Sequence, residues 1–221
     1  MNETTSEPGA PTIRFRTNRM EAFSDGVLAI AITLLVLEIA VPTAASTNLL
    51  QAVVDAWPSY LAYFVSFATI GAVWLWHTVI TEFLDHADSV FLRLNLLLLL
   101  VVAFLPFPTR LVAESLRSTD NERVAVTMYG VNLLLASVLL SVLWRYAASR
   151  RLIHPDASDE DVVLLSQRVT PGLGGYVVLI VIGLFAPTIA VFGYLALAAF
   201  IILPGRARRP SRAGGGGKPP S

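Results

Sequence analysis

An ionisable or amide side chain inside an apolar run is the feature of this sequence that can do chemistry, because hydrocarbon offers it neither water nor counter-ion. Five such residues stand out: Asp25 and Glu38 in the first apolar run, His77 in the second, and Arg93 and Asn95 in the third. A carboxyl or imidazole at depth can exchange protons or attract cations, and an amide can bond a neighbouring helix. Asp25, Glu38 and Arg93 stand near the ends of their runs, where snorkelling to the interface is the competing reading. His77 and Asn95 have no such exit. An interhelix hydrogen bond is their simpler reading, and a direct part in transport the stronger one. Glu82 and His86 are four apart, and two ligands at a solvated helix end are a weak basis for a cation site. The chain has no cysteine and its three histidines are scattered. No metal, cofactor or enzymatic activity is expected, since nothing resembles a nucleophile–base pair, a metal cage or a phosphate-binding glycine loop.

The elements that position these residues follow from composition. The 221 residues are 55% hydrophobic and 14% charged, with a mean hydropathy of +0.65. A helix needs roughly 20 apolar residues to cross a ~30 Å hydrocarbon layer, so the chain can supply about six crossings. Span one is expected from Arg19, capped by Asn18 with Glu21 as its partner, to about Val41 before Pro42. Its apolar core is long for a secretory leader and is interrupted by Asp25 and Glu38, so it reads as retained. Span two runs from Tyr60 to Ile80, span three from Val90 to Leu105 where Pro106 and Pro108 stop or kink it, and span four from Val124 to Trp144. Residues 170–203 divide at Pro187 into two more, with Thr170 and Pro171 as a first turn. Residues 1–18 and 204–221 are polar or rich in Arg, Gly and Pro and read as disordered cytoplasmic tails around a membrane domain at 19–203.

Charge supports an even number of spans. With both termini inside, only Arg110, Arg117 and Arg123 of the 16 basic residues lie outside, whereas five spans would export the basic tail. The loop at 81–89 runs against this pattern, being acidic through Glu82, Asp85 and Asp88. Acidic and basic residues balance at 16 each, so no electrostatic footprint points to nucleic acid. Within span one, Ile30, Thr33 or Leu34, and Leu37 recur on one helical face, while Asp25 lies on another. Helical phase alone leaves that aliphatic stripe facing lipid, core or a pore.

The run Arg19-x-x-x-Phe23-Ser24-Asp25-Gly26 resembles the signature that opens the first helix in prokaryotic members of the transmembrane protein 175 family of potassium channels. Trp74-Leu-Trp76-His77, Leu94-Asn95 and Leu105-Pro106-Phe107-Pro108-Thr109 are similar to other recurrent stretches of that family. Beyond about residue 115 only span count and lengths agree. The resemblance implies an all-α integral membrane protein of six transmembrane helices per subunit, assembled as a homotetramer around a pore lined by helix 1. It further implies a plasma-membrane channel whose partners are other copies of itself, membrane lipids, and potassium and other monovalent cations. No carbonyl filter is expected; the chain has no TVGYG, and Gly172 to Tyr176 is no substitute. By position, Ile30, Thr33, Leu34 and Leu37 become the constriction, and Glu38 would concentrate cations at the outer mouth. Arg19, Phe23, Ser24, Asp25 and Gly26 would belong to a network with His77 and Asn95, Gly26 permitting close helix approach. The alternatives are a proton-coupled secondary transporter using Asp25, His77 and Glu38, and a membrane scaffold whose polar residues only join helices.

Overall fold

The computed structural model describes residues 15–39, 48–116, 121–158, 160, 162, 163, 166 and 171–203. Pro42, Thr170, Arg14, Arg117, Arg168 and the basic tail after residue 203 lie outside the described residues. All the elements among the described residues are helical: α1 (Thr17–Leu34), α2 (Leu49–Asp55), α3 (Trp57–Glu82), α4 (Ser89–Phe104), α5 (Pro106–Ser115), α6 (Glu122–Ser149), α7 (Pro171–Phe185) and α8 (Pro187–Ile202).

The first helix departs from expectation at both ends. Its N-cap is Arg16, without a side-chain cap, and Asn18 lies inside the helix. The cause lies upstream: Phe15 N–H donates to Ala87 O at 2.9 Å and Ala87 N–H to Phe15 O at 3.1 Å. That bridge fixes the chain into the bundle, so helix follows at once and the expected capping box has no role. Residues 15–18, read as part of the tail, accordingly belong to the helical bundle. At its far end α1 tightens into a 3₁₀ turn, Leu35–Glu38.

The expected second and fourth spans are both longer in the structure. Pro58 lies in the first turn of α3, where its missing N–H costs nothing. Pro106 and Pro108 kink the third span rather than stop it. Leu105 N–H bonds Val102 O at 3.0 Å in a 3₁₀ step, and α5 then carries the same segment to Ser115. Asp88 caps α4 by accepting from the Val90 and Phe91 amides at 3.1 and 2.8 Å. Among the described residues four segments are long and apolar enough to cross a membrane: 17–38, 57–82, 89–115 and 122–149. The pair α7 and α8 meet at Ala186 and are shorter; at 1.5 Å per residue each spans about 22–24 Å.

The core lies between α3, α4, α6, α7 and α8. Trp144, Tyr129, Tyr194 and Phe91 are its largest fully buried side chains. Gly130 allows α8 to come close to α6: a Cβ there would overlap the Tyr194 hydroxyl and stand 2.7 Å from Ile180 Cγ1. A buried polar cluster crosses three helices, Ser66 Oγ lying 2.7 Å from Thr109 Oγ1 and 3.0 Å from the Tyr129 hydroxyl. α1 sits at the rim of the bundle, packed chiefly on α3 and α4.

Candidate functional site

The inner face of α1 carries Met20, Ser24, Leu28 and Ala31, spaced three and four apart and all buried. Opposite them, Phe23, Gly26, Ile30, Thr33, Leu34 and Leu37 form a stripe that no other described part of the chain covers; Ile30 is 60% and Leu37 73% exposed. Among the described residues no atom of a neighbouring element lies within 4 Å of a Cβ position at Gly26, so no other described helix approaches it. Its phase explains this, because it lies one turn below Ile30 on the outward face. The Thr33 hydroxyl donates to Ile30 O at 2.8 Å, which commits its proton to the backbone and leaves its oxygen lone pairs outward.

Two polar contacts made by adjacent residues fix this orientation. Asn95 Nδ2 donates to Ser24 Oγ at 2.9 Å, and Asn95 Oδ1 lies 2.9 Å from His77 Nε2. An amide oxygen only accepts, so the imidazole presents its Nε2–H to it. Ser24, His77 and Asn95 are all buried, and the chain of bonds ties α1 to α4 and α4 to α3. Asp25 stands outside this triad. Its Oδ1 accepts the indole N–H of Trp74 at 3.0 Å on the exposed flank of α3. The expected network is therefore two separate links. Trp74 is the partner that sequence reasoning missed, although an indole N–H in an apolar helix itself signals the need for an acceptor. Arg19 and Arg93 are exposed and stand apart from the Ser24–Asn95 and Asn95–His77 bonds of the triad.

At the other end of α1, Glu38 lies within electrostatic reach of Arg110, whose Nε donates to Glu114 Oε1 at 2.8 Å. Part of the Glu38 charge is thus offset within the chain.

The foot of the bundle holds a second polar assembly. α3 ends at Glu82, so His86 lies beyond it and does not share its face. His86 Nδ1 instead lies 2.9 Å from Asp85 Oδ2, with His154 Nδ1 3.5 Å from Asp85 Oδ1. Among the described residues there is no group of three metal-ligating side chains. Backbone bonds from Asp85 N–H to Leu152 O, 2.9 Å, and from His154 N–H to Phe83 O, 3.0 Å, join the two segments. The Tyr146 hydroxyl donates to Asp88 Oδ2 at 2.6 Å. Burial pushes the Asp88 carboxyl up, but the Tyr146 hydroxyl, the Phe91 and Val90 amides and the Arg150 charge outweigh it and hold it below the usual carboxylate range. Gly172 to Tyr176 lie within α7, a helix, and offer no extended run of carbonyls.

Comparison with known proteins supports the family resemblance. Residues 19–106 match the family model described as the endosomal/lysosomal potassium channel TMEM175. A potassium channel of Chamaesiphon minutus is 38% identical over 85% of this chain and 94% of its own length. One of Streptomyces collinus is 43% identical over 58% of this chain and 63% of its own. The crystal structure of a lysosomal potassium-selective channel TMEM175 homolog from Chamaesiphon minutus superimposes with a TM-score of 0.76 at 37% identity, covering 84% of this chain and 95% of that one. With a similar helical architecture and near full-length identity of this order, the chain belongs to the TMEM175 family.

Proposed function

We propose that the chain is one subunit of a potassium-permeable cation channel of the plasma membrane, with both termini cytoplasmic. Each subunit crosses the membrane six times, α7 and α8 being accommodated by tilt or local thinning of the bilayer. Four copies surround a central axis, and α1 of each lines the conduit. One observation carries the reading: the uncovered stripe of Ile30, Thr33, Leu34 and Leu37 on a helix whose opposite face is held by buried hydrogen bonds. The names of the relatives from Chamaesiphon minutus and Streptomyces collinus, both potassium channels, support it.

In this reading four Ile30 side chains form an apolar neck that strips part of the hydration shell, and Thr33 oxygens one turn away replace some of the lost water. Potassium holds its water less tightly than sodium, so the neck favours it without a carbonyl filter. The ion is cargo, and no cofactor takes part. Glu38 raises the local cation concentration at the outer mouth, moderated by Arg110. A proton-coupled carrier is the weaker alternative. It would need His77, buried against Asn95 away from the stripe, to join Asp25 and Glu38 on one path.

Single-channel recording of purified protein in planar bilayers, with potassium and sodium on opposite sides, tests this. Unitary steps that reverse toward the potassium equilibrium potential are expected. Slow saturable flux without steps would favour a carrier, and silence a scaffold.

A further inference from the structure

We propose that α2 is an interfacial anchor that rests its apolar face on the lipid surface beside the outer end of α1. The inference rests on α1 and α3 being membrane spans. At 3.6 residues per turn, Leu49, Leu50, Val53 and Val54 fall within an arc of about 140°, while Gln51 and Asp55 lie on the opposite side. No residue of α2 is buried, and all four aliphatic side chains are exposed. The polar side is internally satisfied: Gln51 Nε2 donates to Asp55 Oδ1 at 2.9 Å, and Asn48 Oδ1 accepts the Gln51 amide at 3.3 Å. The helix is therefore formed and capped, with an apolar side that no other described residue covers.

Its place in the fold selects the occupant. α2 leads directly into α3, whose first residue is the exposed Trp57 and whose next outward aromatic on that face is Phe64. The apolar side of α2 is thus continuous with the flank of a spanning helix, and Trp57 sits where an indole marks the boundary between headgroups and acyl chains. Exposed apolar side chains at that depth are stabilised by the interface itself. A second copy is a poorer fit. Seven residues make a helix about 10 Å long and ~10 Å wide, a footprint on the order of 100 Å², against roughly 800 Å² per partner in a stable protein interface.

The chain has no cysteine, so single substitutions carry a nitroxide label without background. L50C, V54C, Q51C and, as a control on the outward face of α4, L97C are labelled in the full chain reconstituted into liposomes. Their relaxation by oxygen, which partitions into lipid, is compared with that by a water-soluble nickel chelate. Oxygen is expected to dominate at L50C and V54C and nickel at Q51C, a reversal of the accessibility ratio between adjacent residues. Nickel dominance at L50C, or exclusion of both reagents by a second copy, would overturn the proposal. L97C separates the causes: lipid exposure there with none at L50C sinks the anchor alone, whereas nickel access at L97C sinks the membrane assignment beneath it.

Discussion

Asn95 donates a 2.9 Å hydrogen bond to Ser24, and with it α4 grips α1 at the turn below Leu28. The same amide faces His77 on α3, so a single side chain spans the space between three helices. The neighbouring residue, Asp25, is held from a different direction by Trp74. Adjacent residues on a helix point about 100° apart, so two bonds from two directions set the rotation of α1 about its own axis. That rotation decides which side chains face outward.

Removing the acceptor tests the grip. Ser24→Ala leaves the Asn95 N–H buried without a partner, which costs about 1–3 kcal/mol. Thermal unfolding of the purified protein is expected to shift downward, with the ratio of potassium to sodium permeability unchanged in the molecules that remain assembled. An unaltered melting temperature would remove Ser24 as an anchor.

Changes on the stripe have the opposite signature. Ile30→Ala widens the neck and is expected to raise unitary conductance while the reversal potential loses its preference for potassium. Thr33→Val keeps the shape but deletes the oxygen, so selectivity falls with little gain in conductance. Val138→Ala, an exposed change on α6, serves as the control and leaves both readings alone.

How much of this was legible in the sequence depends on the range of the interaction. The outward stripe follows from helical phase, and the Ser24, His77 and Asn95 positions follow from the need of buried polar groups for partners. Asp25 shares the signature run with Ser24, but one residue along a helix is a different direction in space. The Phe15–Ala87 bridge and the Asp85–His154 contact join residues some 70 positions apart, and no local pattern encodes such a pairing. Nor does the sequence announce α2, which is too short to show a convincing period. The kink at Leu105 was legible as an interruption; that α5 continues beyond it depends on Thr109 meeting Ser66 across the core.

Gly130 and Tyr194 form a coupled pair. Gly130→Ala forces a methyl against the Tyr194 ring and Ile180, an overpacking that costs about 1–3 kcal/mol. The Tyr194 hydroxyl is buried and finds no partner among the described residues. Tyr194→Phe is therefore expected to be neutral or stabilising by up to about 1 kcal/mol, and to rescue part of the Gly130→Ala loss. A double-mutant cycle on melting temperatures reads the coupling; strict additivity would refute it.

Asp88 makes part of the stability depend on pH. Its folded-state pKa lies below the unfolded value, so its contribution is fully present above the unfolded value near 4 and is lost as pH falls through the folded one. Tyr146→Phe deletes one of the hydrogen bonds that hold it low. The gap in melting temperature between wild type and this variant is expected to be largest at neutral pH and to close in acid. A gap that stayed constant down to pH 3 would mean that the tyrosine acts through packing alone.

The backbone contacts of Phe15, Asp85, Ala87 and His154 gather segments from three separate parts of the chain at the foot of α1. Such a knot breaks all together or not at all, so its four amide protons belong to one opening unit. In hydrogen–deuterium exchange they should share a single protection level, and deleting the residues before Arg16 should release the loop at 83–88 and the segment at 152–154 in concert.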